Sequence, residues 1–555
     1  MPDPATSPDH PLTQRRAALD RLADESWDLL VVGGGIVGSG VLLDATTRGL
    51  KAALVEQDDL AVGTSSRSSR LIHGGLRYLE DFRIGLVREA LAERSRLLRL
   101  APHLVHLERF LFPVYGYPLV SRAFMGAGLT LYDLLGAARD GGRAHHLGAD
   151  AVAELVPPIR RAGLRGGVTY SDGVEDDARY SIVVARTAEA AGATVVTRAR
   201  VSGLLLDGGG QVTGVQVHDR LDGADLEIRA RSVVDATGVW LGHPAARLGG
   251  SSIKLVPSRG THLVFERSRL PLQTGMTLKI PGRVLFIIPY PGAWIVGTTD
   301  VADEGAPERP APTADEVDEI MENVNHVLDA DLSREDAVGA FAGLRPLVGA
   351  PGGDTARVSR EHTIHREESG LVRVSGGKYT TYRLMARDAV DVALEVAGAR
   401  ARPSGTADHP LSGAAPRDEL DAISAELARS DDLDGEVARA LVARHGTEAR
   451  DVVRLGAELD LLRPLSPEGP ELEAEVAWAV RRELALGLDD VLSRRMRLSM
   501  ARRDRAAGIA PRVTEIMASQ LGWDAARQAH EIEAYLAAAH REYDVPARAQ
   551  ANTGG

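Results

Sequence analysis

The sequence predicts an α/β chain of several domains, with a parallel sheet assembled from distant strands and a helical domain at the end. Three observations predict it. A short apolar run, Asp28-Leu29-Leu30-Val31-Val32, leads directly into Gly33-Gly34-Gly35-Ile36-Val37-Gly38 and a helical pattern. Two later segments, 232–238 and 373–382, repeat a buried-strand pattern followed by a small-residue turn. Beyond a Pro/Gly-rich stretch at 403–416, residues 417–540 read as helices with little strand character. A chain of 555 residues exceeds one compact core, so two or three domains are expected.

Bulk composition narrows the function classes. The formal net charge of −13 argues against a nucleic-acid partner, because binding a phosphate backbone requires net or patched positive charge. The chain has no cysteine, which excludes disulfides, thiolate metal sites and a cysteine nucleophile. A reducing cytoplasm fits that composition. No stretch reaches the roughly 18 consecutive apolar residues of a membrane span. The first 26 residues carry Pro2, Pro4, Pro8 and Pro11 and no apolar core. They read as a flexible tail with a short helix near Arg15 to Leu22, and not as a signal peptide.

The first strand ends at the glycines, and each has a mechanical reason. Gly33 permits the tight turn, Gly35 lets a pyrophosphate approach the backbone, and Gly38 lets the helix pack close to the strand. The helix runs from Ile36 to Arg48, with Gly49 as its stop. Its N-terminus offers free N–H groups and a partial positive charge to phosphates. Ala52-Ala53-Leu54-Val55 forms the second strand, and Glu56 stands at its end, where a carboxylate takes both ribose hydroxyls. A carboxylate there disfavours a 2′-phosphate, which argues against NADP. The motif alone does not separate FAD from NAD. A nucleotide unit completed by the distant strands at 232–238 and 373–382 favours a flavin domain.

The stretch Gly63-Thr64-Ser65-Ser66-Arg67-Ser68-Ser69-Arg70-Leu71-Ile72-His73-Gly74-Gly75-Leu76-Arg77-Tyr78-Leu79-Glu80 is distinctive. It resembles the flavin-contacting segment of FAD-dependent glycerol-3-phosphate dehydrogenases. Further blocks of that family follow in the same order. They are Tyr170-Ser171-Asp172-Gly173, Asp176-Asp177-Ala178-Arg179, Ser258-Arg259-Gly260-Thr261-His262 and Ile288-Pro289-Tyr290. Then come Gly297-Thr298-Thr299-Asp300, Gly343-Leu344-Arg345-Pro346-Leu347, Ser359-Arg360 and Gly376-Gly377-Lys378-Tyr379-Thr380-Thr381-Tyr382. The family often has Lys where Arg70 stands and Leu where Tyr379 stands.

The resemblance implies a discontinuous, Rossmann-like FAD-binding domain (27–95, 165–245 and 345–400) and an antiparallel-sheet substrate domain (96–164 and 246–344). A linker (401–416), a helical C-terminal domain (417–540) and a tail (541–555) complete the expected organisation. It places Ser65, Ser66, Ser69 and Gly74 along the cofactor, with Ala236, Gly238, Gly377 and Thr380 at the ends of the two later strands. The reaction it implies is oxidation of sn-glycerol 3-phosphate to dihydroxyacetone phosphate by hydride transfer to FAD. Electrons then pass to a membrane quinone, with the protein peripheral on the cytoplasmic membrane face. The rival acceptor is oxygen, as in glycerol-3-phosphate oxidases; another FAD-dependent oxidase of the same fold is the further alternative.

That chemistry needs a base, a phosphate grip and a cation or helix terminus near the flavin, and no metal. Arg binds phosphate oxygens bidentately and keeps its charge. Arg77, Arg345 and Arg360 are the candidates, and Arg345 stands oddly for a surface charge, between an apolar stretch and Pro346. His73 is either the proton acceptor or a histidine that bonds the flavin; His262 is the competing base or orients the substrate. Lys378, after two glycines at a helix start, is expected to face the substrate or flavin. Tyr78 and Thr299 are candidate hydrogen-bond donors to the substrate. The run 77–99 interleaves Arg77, Arg83, Arg88, Arg94, Arg96 and Arg99 with Leu86, Val87, Ala90, Leu91, Leu97 and Leu98. Such a basic amphipathic helix either lies on anionic lipid or packs inward with a solvated face. The helical C-terminal domain carries no nameable chemistry; covering the FAD domain, forming a homodimer and binding a partner stay open as its roles.

Overall fold

The computed structural model describes residues 10–75, 83–116, 140, 142–243, 248–249, 253–281, 283–303, 305–349, 362–430, 433–467 and 469–548. Leu29–Val32 and Ala52–Val55, entirely buried, lie side by side in parallel, as unbroken apolar runs do in a sheet covered on both faces. Helix Ile36–Thr47 joins them and covers one face. Among the described residues this sheet has six strands, in the order His362–Arg366, Val372–Gly376, Val233–Asp235, Leu29–Val32, Ala52–Val55 and Thr194–Val196. All neighbours are parallel except the edge pair His362–Arg366 and Val372–Gly376.

A ten-stranded sheet forms the second layer system. Its long strand Leu255–Glu266 pairs antiparallel with Ala337–Val348 and with Ala293–Gly297. Side chains alternate across it, as the two-residue strand period demands. Phe110, Val264, Ile288 and Ile295 pack into one core together with the C-terminal helices. Leu111, Leu263, Phe265, Ile287 and Val296 pack into another, under helix Ala314–Val327. The helical unit therefore covers one face of this sheet. It comprises Arg417–Ser430, Gly435–His445, Ala449–Leu459, Glu473–Arg482, Ala510–Leu521 and Ala525–Tyr543, with a π-helical turn at Asp490–Arg495.

Four expected boundaries shift. The strand Leu164–Glu175 pairs with Val105–Tyr115 in the large sheet, although residues from 165 were assigned to the FAD domain. Ala337–Val348 likewise carries the large sheet past residue 345. Register decides both cases, because an eleven- or twelve-residue strand is held along its whole length by its partner. The N-terminal segment is no tail from residue 11 onward: helix Pro11–Asp24 buries Leu19 and Leu22, and Arg15 pairs with Asp219 at 2.7 Å. The helix docks on a separate four-stranded sheet formed by Ser26–Trp27, Asp225–Ala230, Val212–Asp219 and Ala199–Leu206. At the other end, residues 544–548 stay on the molecule through Asp544–Arg505 and Arg548–Asp318 pairs.

Candidate active site

The nucleotide end is built by close approach. Gly33 has φ +108°, which a side chain resists. A Cβ on Gly38 would lie 1.9 Å from the Gly33 carbonyl oxygen, so only glycine allows the helix to sit on the turn. Gly35 is the N-cap of the helix, and Ser65 Oγ accepts the Ile36 N–H at 2.9 Å. The Glu56 carboxylate accepts the Gly34 N–H at 2.6 Å and the Asp58 N–H at 2.8 Å. Burial pushes its carboxyl up to about 7; those two N–H groups oppose the rise, and the Asp58 and Asp59 charges add to it. Ala236 meets Gly33 directly, and Gly238 (φ +61°) opens the 3-10 turn Gly238–Trp240.

The segment after Glu56 runs from the nucleotide helix to the large sheet. Thr64–Ser66 is a 3-10 turn, and Leu71–Ile72 joins the sheet edge against Gly173 and Val174. His73, half-buried, follows that strand directly. The Gly74 N–H donates to Asp172 Oδ1 at 3.3 Å, and Arg94 holds Asp172 at 2.8 Å. Ser69 Oγ and His262 Nε2 share a 2.8 Å hydrogen bond, bringing the flavin-like segment onto strand Leu255–Glu266.

Strand register gathers the cationic site. Ser258 lies opposite Arg345, Gly260 opposite Gly343 and His262 opposite Phe341. A Cβ on Gly260 would fall 2.6 Å from Arg345 Nη2, so the guanidinium lies across that bare backbone. Arg345 donates to the Thr299 carbonyl at 3.3 Å, to Thr298 Oγ1 at 3.2 Å and to Ser258 Oγ at 3.4 Å, with Asp300 at 3.6 Å. Its side chain is 24% accessible, and Thr298 and Asp300 beside it are likewise only half-buried. His262 stacks on Phe341 with ring centroids 4.7 Å apart. Burial pushes its imidazole down to about 3, and the Arg345 and Arg70 cations add to that. His262 is therefore neutral near pH 7, too weak a base for the competing role and suited to orienting.

Two expectations are corrected here. Thr299 is fully buried, accepts the Thr261 N–H at 2.8 Å and spends its single hydroxyl proton on Glu316 Oε1 at 2.7 Å. It has no proton to offer a substrate and acts instead through its carbonyl on Arg345. Arg94, counted among the basic residues of an amphipathic helix, lies inside helix Ile84–Leu100, paired with Asp172 and Asp140. Arg77, Tyr78 and Arg360 lie outside the described residues.

Residues 28–391 match the family described as FAD dependent oxidoreductase, and residues 404–528 match the C-terminal domain of alpha-glycerophosphate oxidase. The glycerol-3-phosphate dehydrogenase of Mycobacterium leprae is 43% identical over 534 residues, covering 95% of this chain and 91% of that one. This chain belongs to the FAD-dependent glycerol-3-phosphate dehydrogenase family. The human mitochondrial glycerol-3-phosphate dehydrogenase is 35% identical, covering 94% of this chain and 74% of that one. The crystal structure of the Bacillus halodurans glycerol-3-phosphate dehydrogenase complexed with FAD aligns with TM-score 0.79 at 26% identity, over 96% of this chain and 98% of that one.

As in any member of this FAD-dependent family, the cofactor is FAD, and the residues present fit it. The Gly33–Gly38 turn leaves bare backbone at a helix N-terminus, where a pyrophosphate binds. Glu56 is a buried carboxyl with lone pairs left over for ribose hydroxyls. Thr380 Oγ1, buried in the 3-10 turn that precedes helix Tyr382–Ala397, has no protein partner among the described residues. Gly376 and Gly377, both with positive φ, turn the chain so that half-buried Lys378 caps that 3-10 turn. The turn packs against Leu71–Ile72 and Ile84–Leu100, next to His73. Sequence reasoning missed Ser258, Thr298, Asp300 and Glu316, which brace Arg345 and Thr299. Three of them sit inside the quoted family blocks, so their proximity to Thr299 and to Arg345's strand partner was the available signal.

Proposed function

We propose that this chain oxidises sn-glycerol 3-phosphate to dihydroxyacetone phosphate and passes the electrons to a quinone. The observation that carries this reading is the convergence of Arg345 with the Ser69–His262 pair where the large sheet meets the 63–75 segment. Arg345, pinned by Thr298, Thr299 and Ser258 yet partly exposed, grips the phosphate dianion through its planar fork. The family resemblance adds Arg77 and Arg360 as phosphate-binding cations and Tyr78 as a hydroxyl donor to the substrate. His73 takes the proton from the C2 hydroxyl as the C2 hydride leaves with its electron pair, so that C2 becomes a carbonyl. FAD, when bound, accepts that hydride. Neutral His262 orients the substrate by hydrogen bonding, and Lys378 stabilises negative charge at the substrate or the pyrimidine end of the flavin. Glu56, Gly33, Gly35, Gly38, Ser65, Ser66, Gly74, Ala236, Gly238, Gly377 and Thr380 hold the cofactor.

Among the described residues no helix is long and apolar enough to cross a membrane. A lipid-borne quinone is then met at the membrane surface, and the exposed Arg83, Ile84, Arg88 and Arg99 of helix Ile84–Leu100 provide a basic and apolar edge for it. A second reading, oxygen as acceptor, is favoured by the match of residues 404–528 to an oxidase C-terminal domain. Anaerobic addition of sn-glycerol 3-phosphate to the FAD-loaded protein tests the first half-reaction: the flavin absorbance bleaches, and an unchanged spectrum refutes the substrate. Re-oxidation by a quinone analogue, without stoichiometric peroxide in air, separates the two acceptors.

A further inference from the structure

The C-terminal helical unit has no assigned chemistry, yet it reaches the flavin segment at several buried points. Residues 64–68 are each tied to a different part of the molecule. Thr64 Oγ1 donates to the Leu344 carbonyl at 2.7 Å, one residue before Arg345. Ser65 caps the nucleotide helix at Ile36. The Ser66 carbonyl accepts from Arg497 Nη2 at 2.8 Å. Arg67 Nη2 donates to Glu542 at 2.6 Å. The Ser68 N–H donates to Asp177 Oδ2 at 2.9 Å, while the other oxygen of Asp177 takes Arg497 at 2.9 Å. Arg497 and Glu542 belong to the helical unit, and both are almost wholly buried, at 2% and 5% exposed.

We propose that the helical unit is a positioning element of the flavin site, with Arg497 and Glu542 setting the Thr64–Ser68 segment between the cofactor and Arg345. Ser65, Ser66 and Arg67 are buried, so the backbone carbonyl at Ser66 requires a donor, and Arg497 is that donor. Arg497 is also tied within its own unit: its Nη1 donates to the Ser493 carbonyl at 3.2 Å. On the opposite side Gly343 admits the Arg67 carbonyl, where a Cβ would come within 2.2 Å. The segment is thus wedged between the strand bearing Arg345 and the helical unit, and a shift of one moves the other relative to the bound flavin. A misplacement of about 1 Å costs on the order of a hundredfold in rate when groups must be aligned. Arg497 is a positioning residue that acts through Ser66 and Asp177.

This inference rests on the reading that the 63–75 segment lies along the flavin. It is tested on the full-length, FAD-loaded protein with Arg497→Met, Arg497→Lys and Glu542→Gln. Arg497→Met is expected to shift the flavin absorption maximum and reduction potential and to lower kcat at least about tenfold, with KM for glycerol 3-phosphate within about twofold. Arg497→Lys restores part of each, because one ammonium reaches Ser66 or Asp177 but not both in the same geometry. Glu542→Gln keeps side-chain shape and carries the test if Arg497→Met does not fold; it shifts the same readouts by less. Unchanged flavin spectrum, potential and kcat alongside a lowered Tm would make the role purely structural and overturn the proposal. If the wild-type flavin is not bleached by glycerol 3-phosphate, the substrate reading fails instead, while spectrum and potential under chemical reduction still test the positioning role.

Discussion

At the residue scale, burial decides what each ionisable group can do. Glu56 has its carboxyl raised from 4.5 to about 7. Its neutral form is favoured in the fold, so this contribution to stability is full below about pH 4.5 and is lost as pH rises through about 7. On the proposed role of Glu56, the ribose hydroxyls of FAD prefer the carboxylate as acceptor, and binding would release a proton. FAD affinity of the apoprotein is therefore expected to tighten as pH rises from about 6 to 7, by up to roughly tenfold per unit, and to level off above. Glu56→Gln removes that slope; an affinity that weakens with rising pH in the parent refutes the assignment. Arg345 is a case of geometry over charge. Arg345→Lys keeps the cation but loses the fork, so KM for glycerol 3-phosphate should rise about tenfold to a hundredfold while bound FAD stays stoichiometric. Steady-state kinetics with flavin quantification decide it.

At the element scale, the nucleotide helix and the long sheet strand do most of the positioning. Helix Ile36–Thr47 can point its N-terminus at a pyrophosphate only because Gly38 sits on the Gly33 carbonyl. Gly38→Ala forces that contact open, and the expected product is a protein purified without its yellow colour and with a Tm lowered by several degrees. Retention of full FAD occupancy would show that the turn tolerates the extra methyl. Both elements differ in how legible they were. The glycine turn was readable because its logic is local, from Leu29 to Glu56. Arg345 was readable because a charge between apolar residues and Pro346 is anomalous. Thr299 was misread because its hydroxyl partner, Glu316, stands on another element, and nothing near Thr299 in the chain announces it.

At the scale of the whole molecule, buried ion pairs join the helical unit to the nucleotide unit. Arg179 pairs with Glu483 at 2.8 Å, Arg494 with Asp59 at 2.5 Å and Arg198 with Asp490 at 2.6 Å. Asp59 stands three residues after Glu56, so the helical unit also braces the loop that follows Glu56. Asp59→Asn takes the carboxylate from buried Arg495, while Arg494 keeps Asp489 and Asp490, at a cost of about 3 kcal/mol. Denaturant unfolding should register that loss, and an unchanged midpoint would mean the pair is not buried in solution. Burial alone would raise the Glu483 carboxyl; the Arg179 and His445 beside it overcome that and hold it down at about 2. Its contribution is present above about pH 4.5 and lost as pH falls toward 2. Acid should thus loosen this joint, and Glu483→Gln should flatten the acid limb of the Tm profile.

The order of strands, glycines and acid near the N-terminus determined by itself the strand–turn–helix–strand unit that suits a dinucleotide, since the turn, the helix and Glu56 need only near neighbours. The blocks along the chain likewise determined the family. Tertiary structure alone decided that Arg345 lies across the bare backbone of Gly260, that His262 and Thr299 are buried, and that the helical unit holds Ser66 and Arg67. Arg497 and Ser66 are 431 residues apart. Burial, strand register and hydrogen-bond saturation are properties of the packed molecule, and no local pattern encodes them.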